Sequence, residues 1–436
     1  MKRLLMACLV LAAVAAHGAS QDEDFLAARE AFRSGNAKKL DLHARRLQGH
    51  ILEPYVAYWQ LRLRLEDAAR EEVQAYVLRY RDTPLSDRLR ADWLKVLGKK
   101  QQWDLFDAEY PQLVNEDIEL QCYALQARLR VSATEALRAA RSLWFTSRDL
   151  PENCTPLFNA LAASHQLSSD DVWARIRLGL EAGNVGVARR VAGYLAAGQA
   201  PDGRVLEAIA SNPTRYLDKR AFDLGSRAGR ETVMFAVHRL ARTSPQQAAW
   251  RWTRLEQQFS PEEPAYVWGL VAYFGAMRHD PGALAWYARA GDLSDLQLAW
   301  KARAALRAGN WQEVLAAIDA MTSRESGEAA WRYWKARALR AQGRQEEANE
   351  ILTPLAAEFN FYGQLATEEL GGRIASPSPA FKPTREDVRA TGMLPGIQRA
   401  LALYRLNLRF EGNREWLWAI RGFDDKQLLT AAEVAR

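Results

Sequence analysis

Trp300-Lys301-Ala302-Arg303-Ala304 leads to Gly309, and Trp334-Lys335-Ala336-Arg337-Ala338 leads to Gly343. The second passage repeats the first at an offset of 34 residues, the period of a tetratricopeptide-type helix pair. Small alanines let the first helix of a pair lie close against the second. The glycine takes the left-handed conformation that ends one helix and turns the chain back. The tryptophan is left to wedge against a neighbouring pair. No pair buries its apolar face alone, so the pattern predicts pairs stacked into a superhelix. Trp173-Ala174-Arg175, running to Gly183, reads as a looser copy.

The same grammar extends outward. Ser34-Gly35-Asn36, Ala182-Gly183-Asn184, Ala308-Gly309-Asn310 and Gln342-Gly343-Arg344 each suit a helix C-cap. A stripe at helical spacing recurs, as at Tyr55, Tyr58 or Trp59, then Arg62 or Leu63. Alternating β-branched runs joined by Asn-Gly turns do not occur. The expected fold is therefore all-α, a right-handed superhelix of stacked antiparallel helix pairs, a tetratricopeptide-like solenoid, over residues 21–373. Residues 374–383, rich in Pro and Ser, read as a semi-extended linker. Helical pattern resumes over 384–436 with neither a C-cap Gly nor a trailing Pro, and is expected to be the start of a further helical domain, truncated in mid-element.

Met1-Lys2-Arg3, an apolar run from Leu4 to Ala16 and the small residues around Gly18-Ala19-Ser20 form the layout of a secretory signal peptide over residues 1–20. The run is too short for a comfortable transmembrane span, and no later segment reaches about 18 apolar residues. The expected destination is the periplasm, after signal cleavage. The chain has 436 residues, 48% hydrophobic and 26% charged, which is globular and larger than one ordinary domain. Its formal charge of +6 includes Lys2 and Arg3 of the leader, and no dense basic stripe with interleaved aromatics suggests nucleic acid. The excess of Arg over Lys reads as coding bias or surface ion pairing. Cys122 and Cys154 remain after cleavage. An oxidising compartment favours their pairing; two separate buried thiols are the alternative.

Residue chemistry excludes more than it suggests. None of the histidines (17, 43, 50, 165, 238 and 279) forms an i, i+4 pair and no Cys-x-x-Cys occurs, so no metal site is expected. Walker A, Gly-x-Gly-x-x-Gly and Gly-x-Ser-x-Gly patterns are absent, and no cofactor is expected. Glu346-Glu347 and Glu368-Glu369 read as solvated helix faces. The 15 tryptophans read mainly as wedges between helices. Trp331, Tyr333 and Trp334 are the candidates for glycan or partner contacts on a concave face. Trp416 and Trp418, two apart on a helix, point in different directions, so at most one should be buried.

Trp331-Arg332-Tyr333-Trp334-Lys335-Ala336-Arg337-Ala338-Leu339, followed by Phe361-Tyr362-Gly363-Gln364-Leu365-Ala366 and Glu369-Leu370-Gly371, resembles the superhelical region of soluble lytic murein transglycosylases. Gln121-Cys122-Tyr123 with Asn153-Cys154 resembles that region's cysteine pair, and Pro395-Gly396-Ile397-Gln398-Arg399-Ala400 with Arg414-Glu415-Trp416 resembles its linker helices. The likeness covers nearly all of the mature chain. It implies a helical ring or superhelix in an enzyme that cleaves the MurNAc–GlcNAc bond of peptidoglycan, leaves a 1,6-anhydro end and needs no metal or nucleotide. It also implies a following lysozyme-like domain with a Glu-Ser motif, a Gly-Leu-Met-Gln segment and an Ala-Tyr-Asn-Ala-Gly segment. Neither segment occurs in these residues. Glu325-Ser326 is followed by Gly327-Glu328 and a repeat helix, and reads as coincidence, so no catalytic residue is assigned. The expectation is the non-catalytic superhelical part of a periplasmic peptidoglycan lytic transglycosylase, as a fragment or natural truncation, that positions or binds glycan strands. The alternative is a stand-alone periplasmic helical-repeat scaffold for protein partners.

Overall fold

The computed structural model describes residues 21–219, 221–374 and 381–436. The leader over residues 1–20 and most of the Pro/Ser-rich linker lie outside the described residues. Among the described residues every regular element is an α-helix or a short 3₁₀ turn, in agreement with the all-α reading. None of these helices is long and apolar enough to cross a membrane.

The glycine turns work as the sequence suggests. Gly35, Gly183, Gly309 and Gly343 have φ between +66° and +79°. The residue after each sends its N–H back to a carbonyl five positions earlier: Asn36 to Ala31 at 2.8 Å, Asn184 to Gly179 at 2.8 Å, Asn310 to Ala305 at 2.9 Å and Arg344 to Leu339 at 3.0 Å. This closes the first helix as a Schellman motif. The same asparagines then open the next helix, since their side chains accept from the N–H groups of Lys39, Val187 and Glu313. Gly-Asn thus stops one helix and caps the next within two residues. Arg344 lacks the side-chain oxygen, and its helix begins without a side-chain cap.

The 34-residue repeat is matched helix for helix. Asp295–Arg307 and Trp311–Asp319 correspond to Ala329–Ala341 and Gln345–Ala356. Trp300 and Trp334 hold equivalent, half-buried positions. Trp300 packs on a small core of Ala272, Ala276, Ala283 and Tyr287. Trp334 bridges the core of its own pair and that of the preceding one. The Arg303 guanidinium sits 5.1 Å from the Trp300 ring centre and 5.0 Å from that of Trp331.

The chain divides into two compact units. One takes in 141–149 and the described residues of 162–374 and holds these repeats. The other joins segments far apart in sequence, the described residues of 21–140, 150–161 and 381–436. In it the helix pair Pro395–Arg405 and Arg409–Ile420 contributes Ala402, Leu403 and Leu408 to a core shared with Phe25, Trp59, Leu89 and Phe106. Trp418 is buried while Trp416 is only partly so, as their spacing requires. Cys122, on helix Ile118–Leu129, is bonded to Cys154 in the turn before Thr155–Ala163, with an S–S distance of 2.02 Å and Cα atoms 5.1 Å apart. The pair sits within this unit and closes a loop of sequence separation 32.

Candidate functional site

The unit that carries the disulfide contains a cleft of about 930 Å³. Its walls come from four places in the sequence. The first helix, residues 21–33, supplies Arg29, Phe32 and Arg33; Glu53–Arg62 supplies Tyr55, Tyr58, Trp59 and Arg62; Pro84–Lys99 supplies Leu85 and Arg88; Arg409–Ile420 supplies Phe410, Glu411 and Arg414. Arg29 and Arg33 share a helix face because they are four residues apart. Phe32 stacks on Trp59 with ring centres 5.7 Å apart and planes inclined by 15°, which makes an apolar floor. Phe410 is 76% exposed.

The far wall is held by ion pairs that bridge nearly the whole described chain. Arg29 Nη2 donates to Glu411 Oε1 at 2.6 Å. Below the cleft, buried Arg399 donates through Nε to Glu415 Oε2 at 3.1 Å and through Nη2 to the Asp82 carbonyl at 3.1 Å. Glu415 is fully buried, and burial pushes its carboxyl above the usual range although Arg399 pulls the other way. Tyr58 donates to Asp92, which also pairs with Arg62 at 3.0 Å.

The balance of charge is positive. Among the lining residues five arginines face one carboxylate, that of Glu411, already paired with Arg29. Arg33 and Arg88 are exposed and form no ion pair among the described residues. Arg88 lies 5.7 Å from the Tyr58 ring centre. Such an arrangement can hold an anion with an apolar face.

The sequence reading missed this site. It took the arginine excess for ion pairing or coding bias, and the Arg29/Arg33 spacing was the one local signal available. The residues it singled out lie elsewhere. Trp331 and Tyr333 are 5% and 4% exposed. The Trp331 indole N–H donates to Glu325 Oε1 at 2.9 Å, and the Tyr333 hydroxyl donates to Glu369 Oε1 at 3.2 Å. Their visible contacts are intramolecular, and Trp334 alone of the three is partly exposed. Glu325 thus fixes the Trp331 indole, and Ser326 hydrogen-bonds the Thr322 carbonyl. Glu369 is not simply solvated: Arg337 and Arg340 also donate to it, at 2.7 and 2.8 Å. Gly363 is needed for close packing, because a Cβ there would meet the Glu358 carbonyl oxygen at 2.0 Å.

A second polar group lies in the other unit. Arg177 pairs with buried Glu231 at 2.8 Å, and Tyr266 donates to Glu181, whose carboxyl is raised by burial. The space among them is about 10 Å³, room for no more than a single water, so the group is packing rather than a ligand site. Among the described residues no group of three or more His, Cys, Asp or Glu side chains could hold a metal ion.

No family model matches the chain. A soluble lytic murein transglycosylase of Escherichia coli strain K12 is 24% identical over 458 aligned positions, which take in all of this chain and 68% of that protein. One from Salmonella typhimurium is 25% identical over 347 positions, 74% of this chain and 51% of the relative. Among solved structures, an inactive mutant of lytic transglycosylase Slt from Pseudomonas aeruginosa matches 94% of this chain and 68% of its own, at 26% identity and a TM-score of 0.65. The 70-kDa soluble lytic transglycosylase of Escherichia coli matches 95% of this chain and 68% of its own, at 22% identity and a TM-score of 0.58, which shows the shared fold. Relatives named soluble lytic murein transglycosylases thus span the whole chain.

Proposed function

From this whole-length likeness to soluble lytic murein transglycosylases, we propose that the chain acts on the bacterial cell wall, as an exported, periplasmic element that binds and positions peptidoglycan glycan strands without itself cleaving them. The likeness over all of its residues carries the peptidoglycan-related role. The complex of the 70-kDa relative with bulgecin A, which is 22% identical to this chain, is a ligand-bound example of the same fold. The non-catalytic part of the reading rests on chemistry. Glycosidic cleavage needs a carboxylic acid beside the leaving oxygen, in a cleft that tunes its pKa. The cleft described above offers arginines and rings, and its one carboxylate is ion-paired. A helical-repeat surface can hold a polymer without catalysing anything.

Incubation of residues 21–436 with purified murein sacculi tests the proposal. The chain should sediment with the sacculi, and the supernatant should contain no 1,6-anhydromuropeptides. Product formation that Glu325→Gln abolishes would overturn the non-catalytic reading. Failure to sediment would favour a scaffold for protein partners.

A further inference from the structure

Resting on that reading, we propose that the arginine-lined cleft recognises the carboxylates of a peptide-bearing disaccharide, so that the chain reads the acidic stem of the wall polymer and not its sugar backbone alone. Arg33 and Arg88 lack ion-pair partners among the described residues and are exposed in the cleft, so their guanidinium forks are available. A planar guanidinium matches a carboxylate with two parallel N–H donors, a geometry that a neutral sugar hydroxyl does not satisfy. Arg414, partly buried on the C-terminal wall, adds a third positive charge.

The apolar side of the cleft suits the rest of such a ligand. Tyr58 and the stacked Phe32–Trp59 pair form a floor, and the exposed Phe410 stands ready to cover the C–H face of a sugar ring. The volume of about 930 Å³ is at the upper end of ordinary small-molecule sites, roughly 300–1,000 Å³, and far exceeds what a lone phosphate or acetate needs. A nucleic-acid strand fits less well, since it requires an extended basic track and not five arginines gathered at one concavity.

The test is calorimetric titration of the oxidised mature chain with three probes: a soluble disaccharide-tetrapeptide, the same disaccharide without its peptide, and inorganic phosphate. The comparison protein is the double variant Arg33→Ala with Arg88→Ala, both exposed sites, whose folding is checked by its melting curve. The peptide-bearing probe should bind at least about tenfold more tightly than the peptide-free one, and the double variant should lose at least about tenfold in affinity for it. Binding should weaken as salt rises from about 50 mM to about 500 mM. Equal affinity for the two saccharides, or an unaffected double variant, would overturn the assignment. So would displacement of the peptide-bearing probe by phosphate at matched concentration, which would mark a general anion site. Sacculus sedimentation separates the two proposals. If the double variant sediments like the native chain while the titrations fail, the cleft assignment falls and wall binding stands. If the native chain does not sediment, wall binding falls whatever the titrations give.

Discussion

Arg399 is one guanidinium on which three segments of the chain converge. It is 5% exposed and holds Glu415, which is fully buried, together with the Asp82 carbonyl and carboxylate. Removing one member of a buried pair strands the other, which costs roughly 3–5 kcal/mol, whereas replacing both by apolar groups is often near neutral. Arg399→Met should therefore unfold at clearly lower urea concentration, and Arg399→Met with Glu415→Leu should recover most of the loss. Acid should narrow the single variant's deficit. Burial already raises the folded-state pKa of Glu415 above 4.5, and loss of Arg399 raises it further. The folded state then holds the proton more tightly than the unfolded one, so stability returns as pH falls through the folded pKa. A deficit independent of pH would mean that the Asp82 contacts dominate. His238 acts in the opposite sense. It is 2% exposed among Phe235 and Phe274, and burial, with Arg242 and Arg239 nearby, lowers its pKa to about 3. The unfolded state takes up its proton first, so stability contributed by neutral His238 is lost as pH falls from 6.5 toward 3, at roughly 1.4 kcal/mol per pH unit. His238→Phe should flatten that part of the stability–pH curve measured by urea unfolding; an unchanged slope would place the effect elsewhere. Neither role was visible in sequence, where a lone His and a lone Arg carry no mark of burial.

At the scale of the element, the turns were legible where glycine makes them and silent where it does not. Gln101, His165, His279 and Asn407 adopt φ between +54° and +59°. Asn407 ends its helix as Gly309 does, with the next N–H, that of Leu408, returning to Leu403 at 2.9 Å. Side chains tolerate this backbone at a cost, so composition alone could not find these turns. Two glycines separate the reasons for needing one. At Gly343, φ is +79° and an added Cβ would meet nothing within 4 Å, so Gly343→Ala should cost roughly 1–2 kcal/mol, from backbone conformation alone. Gly98 is helical, but a Cβ there would lie 2.4 Å from the Tyr123 ring. Gly98→Ala should cost roughly 1–3 kcal/mol by overpacking. Trimming Tyr123 to Leu should relieve Gly98→Ala and leave Gly343→Ala untouched, which a double-mutant cycle would read directly. The Trp300 and Trp334 wedges were legible because their repeat spacing is local. The buried fate of Trp331 and Tyr333 was not, because it depends on the apolar cores they join, Trp331 with Leu298 and Ala302 and Tyr333 with Leu352 and Leu355.

For the whole molecule, the sequence supplied the helical class, the 34-residue stacking and a cysteine pair, but not the way the chain gathers its ends. The cleft assembles Arg29 and Glu411, which are 382 positions apart, and no periodic pattern encodes such a meeting. Because the chain forms two compact units with separate cores, thermal unfolding should depart from a single two-state transition. The disulfide belongs to one unit only, and a loop of sequence separation 32 corresponds to roughly 3–4 kcal/mol in the chain-entropy treatment. Reduction, or Cys122→Ser with Cys154→Ser, should lower one calorimetric transition and leave the other in place; a uniform shift of the whole profile would show that the units melt together. The discontinuous unit also sets an order of events. A ribosome makes Phe25 early and Leu403 and Leu408 late, yet all three share one core, and domains fold when their last necessary piece has emerged. Most of that core, Phe25 to Ala127, comes from the first of its segments, and the late helix pair adds Ala402, Leu403 and Leu408 to it. What waits for the late pair is therefore the closing edge of the core, and until that pair docks the edge is the part of the unit open to misassociation.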